Sequence, residues 1–291
     1  MASAASPQRG RVVARRGVAR SGWWLSIGLY AALTLTLVLP LAVAFLWSLV
    51  DPRTGWFAPD LVPRSLAGAH WQTALGDRGL ARTVLLSLGI SASVMLLSAV
   101  LALPTAYALA KVPFRGKRLV ELFILAPLIV PGLIVGVGVG VIFFQLGLAH
   151  GVPGVILAQT IGTLPFMIRV LSATLEAVPN DLIHAARTLG AGPFQVARHI
   201  LVPLAWPGFV AGGLLSFVAS FEEFEKTFIV GAPVIETLTI RLWSVMGGKV
   251  VIFPNAAVVT FILLVPTVIV FFLAERAMKN ERALAAGMGK L

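Results

Sequence analysis

The chain has 291 residues, 58% hydrophobic and only 12% charged, with no Cys and a net charge of +11. Soluble domains carry about 25% charged residues, so most of this surface must face something other than water. The positive charge does not point to nucleic acid, because the basic residues cluster beside apolar runs, and without Cys no disulfide or thiolate metal site can form.

Apolar runs long enough to cross a bilayer predict an all-α, polytopic membrane protein with six transmembrane helices, at about 23–50, 84–110, 119–146, 155–177, 204–230 and 255–274. A basic arm (residues 1–22) with Arg9, Arg11, Arg15, Arg16 and Arg20 comes first. Ala42-Val43-Ala44 resembles a cleavage site. The apolar run is longer than the roughly 7–15-residue core of a signal peptide, however, so it reads as a retained first span. That span and an external loop fill residues 23–80, where Trp56 and Trp71 read as interfacial anchors.

Charge then alternates from loop to loop. Lys111, Arg115, Lys117 and Arg118 follow the second span, Arg187 and Arg198 the fourth, and Arg276, Lys279, Arg282 and Lys290 lie in the tail (276–291). With the arm these make fifteen Lys/Arg, against six on the other side: Arg53, Arg64, Arg78, Arg82, Arg241 and Lys249. The bias places both termini in the cytoplasm.

The third run holds Pro127, Pro131 and the glycines 132, 136 and 140, spaced four apart on one helix face. Such a face lets another backbone approach closely; a helix bent by its prolines could instead line a path. In the fourth run, Arg169 is expected to snorkel to the interface or pair with Glu176.

Residues 179–203 break the pattern with a polar hairpin. Pro179-Asn180-Asp181 can start a helix with Leu182, Ala185, Ala186 and Leu189 as its apolar face. Gly190 fits the position just past its end, and Pro193 opens a second short helix with Val196, Ala197, Ile200 and Leu201 on its apolar side. Pro203 leads into the fifth span.

That span ends in charge. Continued as one helix, it sets Glu222, Glu223, Glu225 and Lys226 opposite Phe217, Phe221, Phe224 and Phe228, with Gly212, Ser216 and Ala219 extending the acidic side. Glu222 can pair locally with Lys226, four residues on. One Lys cannot neutralise three Glu, so a negative patch remains that would attract a cationic or zwitterionic solute. The four His, at 70, 150, 184 and 199, show no metal-ligand spacing, and no catalytic constellation stands out.

The hairpin carries a resemblance. Ala185-Ala186, three residues, Gly190, nine residues, then Ile200-Leu201-Val202-Pro203 is similar to the cytoplasmic signature of permease subunits of binding-protein-dependent ABC importers. His184 stands where that signature has Glu, and Val202 where it has Leu. The resemblance runs over about residues 82–275. Ser220-Phe221-Glu222-Glu223-Phe224, with Gly231-Ala232-Pro233 and Thr237-Leu238, looks like the spermidine/putrescine branch, which also includes permeases for opines, aminophosphonates and iron.

The resemblance implies a type I ABC importer permease fold with its core at 81–275, in the bacterial inner membrane. It implies a coupling hairpin made by His184, Ala185, Ala186, Leu189, Gly190, Ala191, Ile200 and Pro203, seated on a separate ATPase present in two copies. It further implies a second permease, identical or homologous, an extracytoplasmic solute-binding protein, and a solute path including Ser216, Ser220, Glu222 and Glu223. Polyamine is the expected solute. The chain has no Gly-x-x-x-x-Gly-Lys-Ser/Thr phosphate loop, so it is not expected to be an enzyme or to hold a cofactor; ATP and Mg belong on the partner. An ATP-independent secondary transporter is the second reading. It would show an inverted repeat, and none is visible in the spans.

Overall fold

The computed structural model describes residues 18–247 and 253–288, and among them all regular secondary structure is helical. Arg9, Arg11, Arg15, Arg16, Lys249 and Lys290 of the charge asymmetry lie outside the described residues.

Helix α1 (Val18–Ser48) is apolar on every side and packs along α12 (Phe253–Met288). Phe45 meets Phe261 edge-on at 5.7 Å, and Trp47 lies 5.1 Å from Phe253. The rest of its surface, including Leu29, Tyr30 and Leu37, is exposed apolar area suited to lipid. The loop that follows is pinned by a single bridge between Val50 and Leu66. Its two tryptophans are half-buried, and both ring N–H groups are engaged within the protein. Trp56 Nε1 donates to the Asp60 carbonyl at 2.9 Å, and Trp71 Nε1 to the buried Ser48 hydroxyl at 3.0 Å. Short helix α2 (Ala69–Gly76) then rests against α12, with His70 Nδ1 2.8 Å from Asn255 Oδ1.

The centre is a trio: α3 (Arg78–Lys111), α6 (Val152–Glu176) and α9 (Val202–Phe221). Asp77 starts α3 by accepting the Gly79 N–H at 2.8 Å. Small residues allow the three backbones to approach. Ala102 and Ala106 are fully buried, and a Cβ on Gly212 would fall 2.8 Å from Met167 Sδ. Ser98 and Thr163 share a buried hydrogen bond of 3.1 Å across α3 and α6.

The third apolar run differs from the single bent span expected. It forms two helices, α4 (Lys117–Ile129) and α5 (Gly132–Gln145), that meet at 100°. The break falls at Val130, extended at ψ 133°, as a residue before proline must tend to be, and at Pro131, which has no N–H to continue the ladder. Pro127 is absorbed within α4. Among the described residues five helices are each long and apolar enough to cross a bilayer, or six if this pair is one broken span.

The hairpin and the fifth run also depart from expectation. After α7 (Asn180–Thr188), the second helix is not a separate short element. α8 (Pro193–Val196) continues through a π-helical turn (Ala197–Leu201) directly into α9. Val202 N–H reaches the Ala197 carbonyl, one residue further back than in an α-helix, just before Pro203, which has no N–H to give. At its far end α9 stops at Phe221, and α10 (Glu225–Gly231) and α11 (Leu238–Met246) follow. The single helical wheel drawn through Phe228 therefore does not hold. Phe217 and Phe221 stack with each other in the core, while Phe224 and Phe228 stack separately and meet Trp243.

Candidate functional site: a hairpin and a buried polar cavity

The hairpin is rigidly built. Gly190 has φ +87°, the left-handed conformation that glycine adopts without steric cost. Its N–H donates to Arg187 at 3.0 Å and the Ala191 N–H to Ala186 at 3.0 Å, the paired bonds of a Schellman termination. Gln195 Oε1 then accepts the Gly192 N–H at 2.8 Å and fixes the entry to α8.

The buried side of α7 is rotated from the face predicted. Of Leu182, Ala185, Ala186 and Leu189, only Ala186 turns inward; Ile183 takes the central place, packed with Leu175, Val196 and Leu201. Val178, five residues earlier, is also buried. His184, Ala185, Gly190 and Pro203 are exposed, Ala191 and Ile200 half-buried. Leu189 is 88% exposed and Phe194 75%, leaving two large apolar side chains at the hairpin tip. Phe194 was missed in the sequence because it falls beyond the turn, outside any helical repeat.

The second feature lies at the other end of α9. Glu223 sits between α9 and α10, where four N–H and O–H groups meet its carboxylate. Oε1 accepts the Lys226 backbone N–H at 2.7 Å and Lys226 Nζ at 3.0 Å. Oε2 accepts the Thr227 N–H at 3.0 Å and its hydroxyl at 2.8 Å. Glu223 thus caps α10, and Lys226 pairs with it rather than with Glu222, because the chain breaks at Phe221 and turns Glu222 out to an exposed position. Gln159 of α6 extends the network: Nε2 donates to Thr227 Oγ1 at 2.7 Å, and the Ser220 hydroxyl donates to Oε1.

These groups border an open cavity of about 350 Å³ at the α4–α5 break. Gln159, Gly162, Thr163, Glu223 and Lys226 supply its polar wall, and Leu128, Pro131 and Phe166 part of the apolar one. Of the four residues expected on a solute path, only Glu223 lines this cavity. Ser220 stands behind Gln159, Glu222 points away, and Ser216 is fully buried with an unpartnered hydroxyl. Gly162 and Gln159 were not anticipated, since neither carries charge or sits in a motif.

The glycine face of α5 meets α10. A Cβ on Gly136 or Gly140 would fall 2.9 or 2.6 Å from Ile229, and one on Gly132 would overlap the Glu225 carboxylate. Arg169 is exposed and forms no ion pair with Glu176, although both border one small crevice with Glu121. On the loop side of α11, Arg241 bridges Asp77 at 3.1 Å and Glu236 at 3.2 Å.

The family described as the binding-protein-dependent transport system inner membrane component matches residues 98–280, which take in both the hairpin and the cavity. The spermidine/putrescine transport system permease protein PotC of Escherichia coli (strain K12) is 28% identical over 177 residues, covering 61% of this chain and 66% of that protein, just under two thirds of its length. The molybdenum transport system permease protein ModB of the same strain is 34% identical over 167 residues, 52% of this chain and 73% of that one. The osmoprotective compounds uptake permease protein GgtD of Synechocystis is 27% identical over 257 residues, 81% of this chain and 86% of that one. Among solved structures, a chain of a bacterial ABC transporter that imports the acidic polysaccharide alginate superposes with a TM-score of 0.71 at 17% identity, over 93% of this chain and 99% of that one. A chain of the methionine ABC transporter MetNI gives 0.55 at 21% identity, over 70% and 98%. The fold is therefore that of the membrane chains of ABC importers.

Proposed function

The chain belongs to the family of binding-protein-dependent transport system inner membrane components, and on that premise we propose that it is the permease subunit of an ATP-driven importer. The observation that carries this is the continuity of the hairpin with α9. A Schellman-terminated turn presents Leu189 and Phe194 to a partner, and the helix that leaves it runs unbroken to the polar cavity. Apolar side chains on a polar hairpin outside the spans fit the groove of a soluble subunit.

In this reading six spans cross the bacterial inner membrane, α4–α5 being one broken span, with both termini cytoplasmic. Two ATPase copies bind ATP and Mg. A second permease, identical or homologous, completes the path, and an extracytoplasmic binding protein delivers the solute. The solute is small and charged. Glu222 and Glu225 stay outside the Glu223–Lys226 pair and favour an amine-bearing solute, a polyamine or a zwitterionic amine of the opine or aminophosphonate kind.

Co-purification tests the assignment. The tagged chain should carry a Walker-motif ATPase with it, and Leu189→Glu with Phe194→Glu should release that subunit while leaving thermal stability unchanged. Solute transport by the chain alone, without ATP, would reject it.

A further inference from the structure

Lys226 is 8% exposed, yet it is not a closed structural pair. An ammonium has three N–H donors, and only one of them has a partner, Glu223 Oε1 at 3.0 Å. Lys226 lines the open cavity, so its other two N–H groups are available to whatever enters it. The surroundings make room for it: a Cβ on Gly162 would fall 2.9 Å from Lys226 Cε and 3.2 Å from Nζ. Glu223 is in the opposite state. A carboxylate offers about four acceptor sites, and its four hydrogen bonds to Lys226 and Thr227 fill them.

The polar wall of the cavity therefore has spare donors and a saturated carboxylate. Gln159 has both ends engaged, with Thr227 and Ser220, and Thr163 is bonded to Ser98. The N-terminal end of α5, at Pro131 and Gly132, opens on the same cavity, but the Glu225 carboxylate lies against Gly132 and offsets the partial positive charge of that end, which leaves Lys226 as the cationic group of the wall. Glu222 is exposed and Glu225 lies over Gly132; neither is part of the cavity wall.

We propose that the α4–α5 cavity is a solute subsite in which the two free N–H groups of Lys226 bind an oxyanion, the carboxylate or phosphonate end of the transported molecule. The inference rests on the permease reading and narrows its solute. A molecule held this way carries an acidic group as well as any amine, which a simple polyamine does not.

The Cys-free chain allows a direct test. Ala219 lines the cavity, so Ala219→Cys, in the full chain with its partners in a bilayer, reports occupancy through its reaction rate with an uncharged thiol reagent. Acetate, methylphosphonate and putrescine serve as probes, the first two separating a carboxylate from a phosphonate source. At least one oxyanion should slow the reaction by about tenfold at a concentration some ten times its Kd, following the ratio of bound to free site. Putrescine should not. Lys226→Gln should abolish the protection and Lys226→Arg retain it, which separates loss of charge from loss of fold. Protection by putrescine alone, by no probe, or by an oxyanion still effective in Lys226→Gln would each overturn the proposal. Failure to co-purify an ATPase would instead strike the permease reading, since probe protection is read on the chain itself.

Discussion

Glu223 illustrates how position changes the meaning of a charge. In sequence it is one of three acids within four residues; in the fold it staples the start of α10 through four hydrogen bonds, one of them an ion pair whose two side chains are 9% and 11% exposed. Removing one partner from such a pair leaves the other charge uncompensated. Glu223→Ala should lower stability by about 3 kcal/mol, and Glu222→Ala should stay within about 0.5 kcal/mol of the parent, as read by thermal unfolding in nanodiscs. Gly190 makes a second residue-scale prediction. At φ +87° a β-branched side chain is strained, so Gly190→Val should cost about 1–2 kcal/mol and loosen the ATPase interaction, while Gly190→Asn should be milder. Gly190 was legible in the sequence because its requirement is local, a helix end followed by a proline. Glu223 was not, because Glu222-Glu223-Phe224 contains no Gly or Pro to mark a break, and only the tertiary fit of α10 against α5 and α6 ends the helix there.

Among the elements, apolar length located the runs, and the four-residue glycine spacing anticipated a close seam. What the spacing could not name was the partner. Gly136 and Gly140 are buried against Ile229 of α10, a contact separated by about ninety positions in sequence. Gly140→Val should therefore disrupt assembly of α5 on α10, and Ile229→Ala in the same chain should restore part of the loss. The comparison of the double variant with the two singles measures the coupling, which would be absent if the residues acted independently. The π-helical turn at Ala197–Leu201 was likewise hidden, since Pro203 reads equally well as the end of one helix or the first turn of the next. The rotation of α7 went astray for a related reason: Leu182–Leu189 and Ile183–Ala186 both satisfy helical periodicity, and packing against Val196 and Leu201 decides between them.

At the scale of the whole molecule, the α4–α5 break governs which way the chain threads through the bilayer. If the pair is one broken span, the loops before α4 and after α7 lie on the same side; if it re-enters, they lie on opposite sides. Arg115→Cys and Leu189→Cys, both exposed and made in a Cys-free background, should react with membrane-impermeant reagents only from the cytoplasmic face. Labelling from opposite faces would reject six spans. Composition made the membrane class legible because too few charges remain to cover a water-facing surface, whereas no feature of the sequence distinguishes a broken crossing from a re-entrant one. The helix from Pro193 to Phe221 has a mechanical consequence of its own. Its 29 residues extend about 43 Å at 1.5 Å per residue. The π turn carries the helix past Pro203 without a break, and Pro207 is taken up within α9, so one continuous element links the hairpin to the cavity end and can act as a tiller. A tilt of about 5° imposed at the Phe194 end would swing the Phe221 end by about 4 Å over that length, enough to reshape a cavity that the helix itself lines at Ala219 and that Glu223 borders just beyond its end.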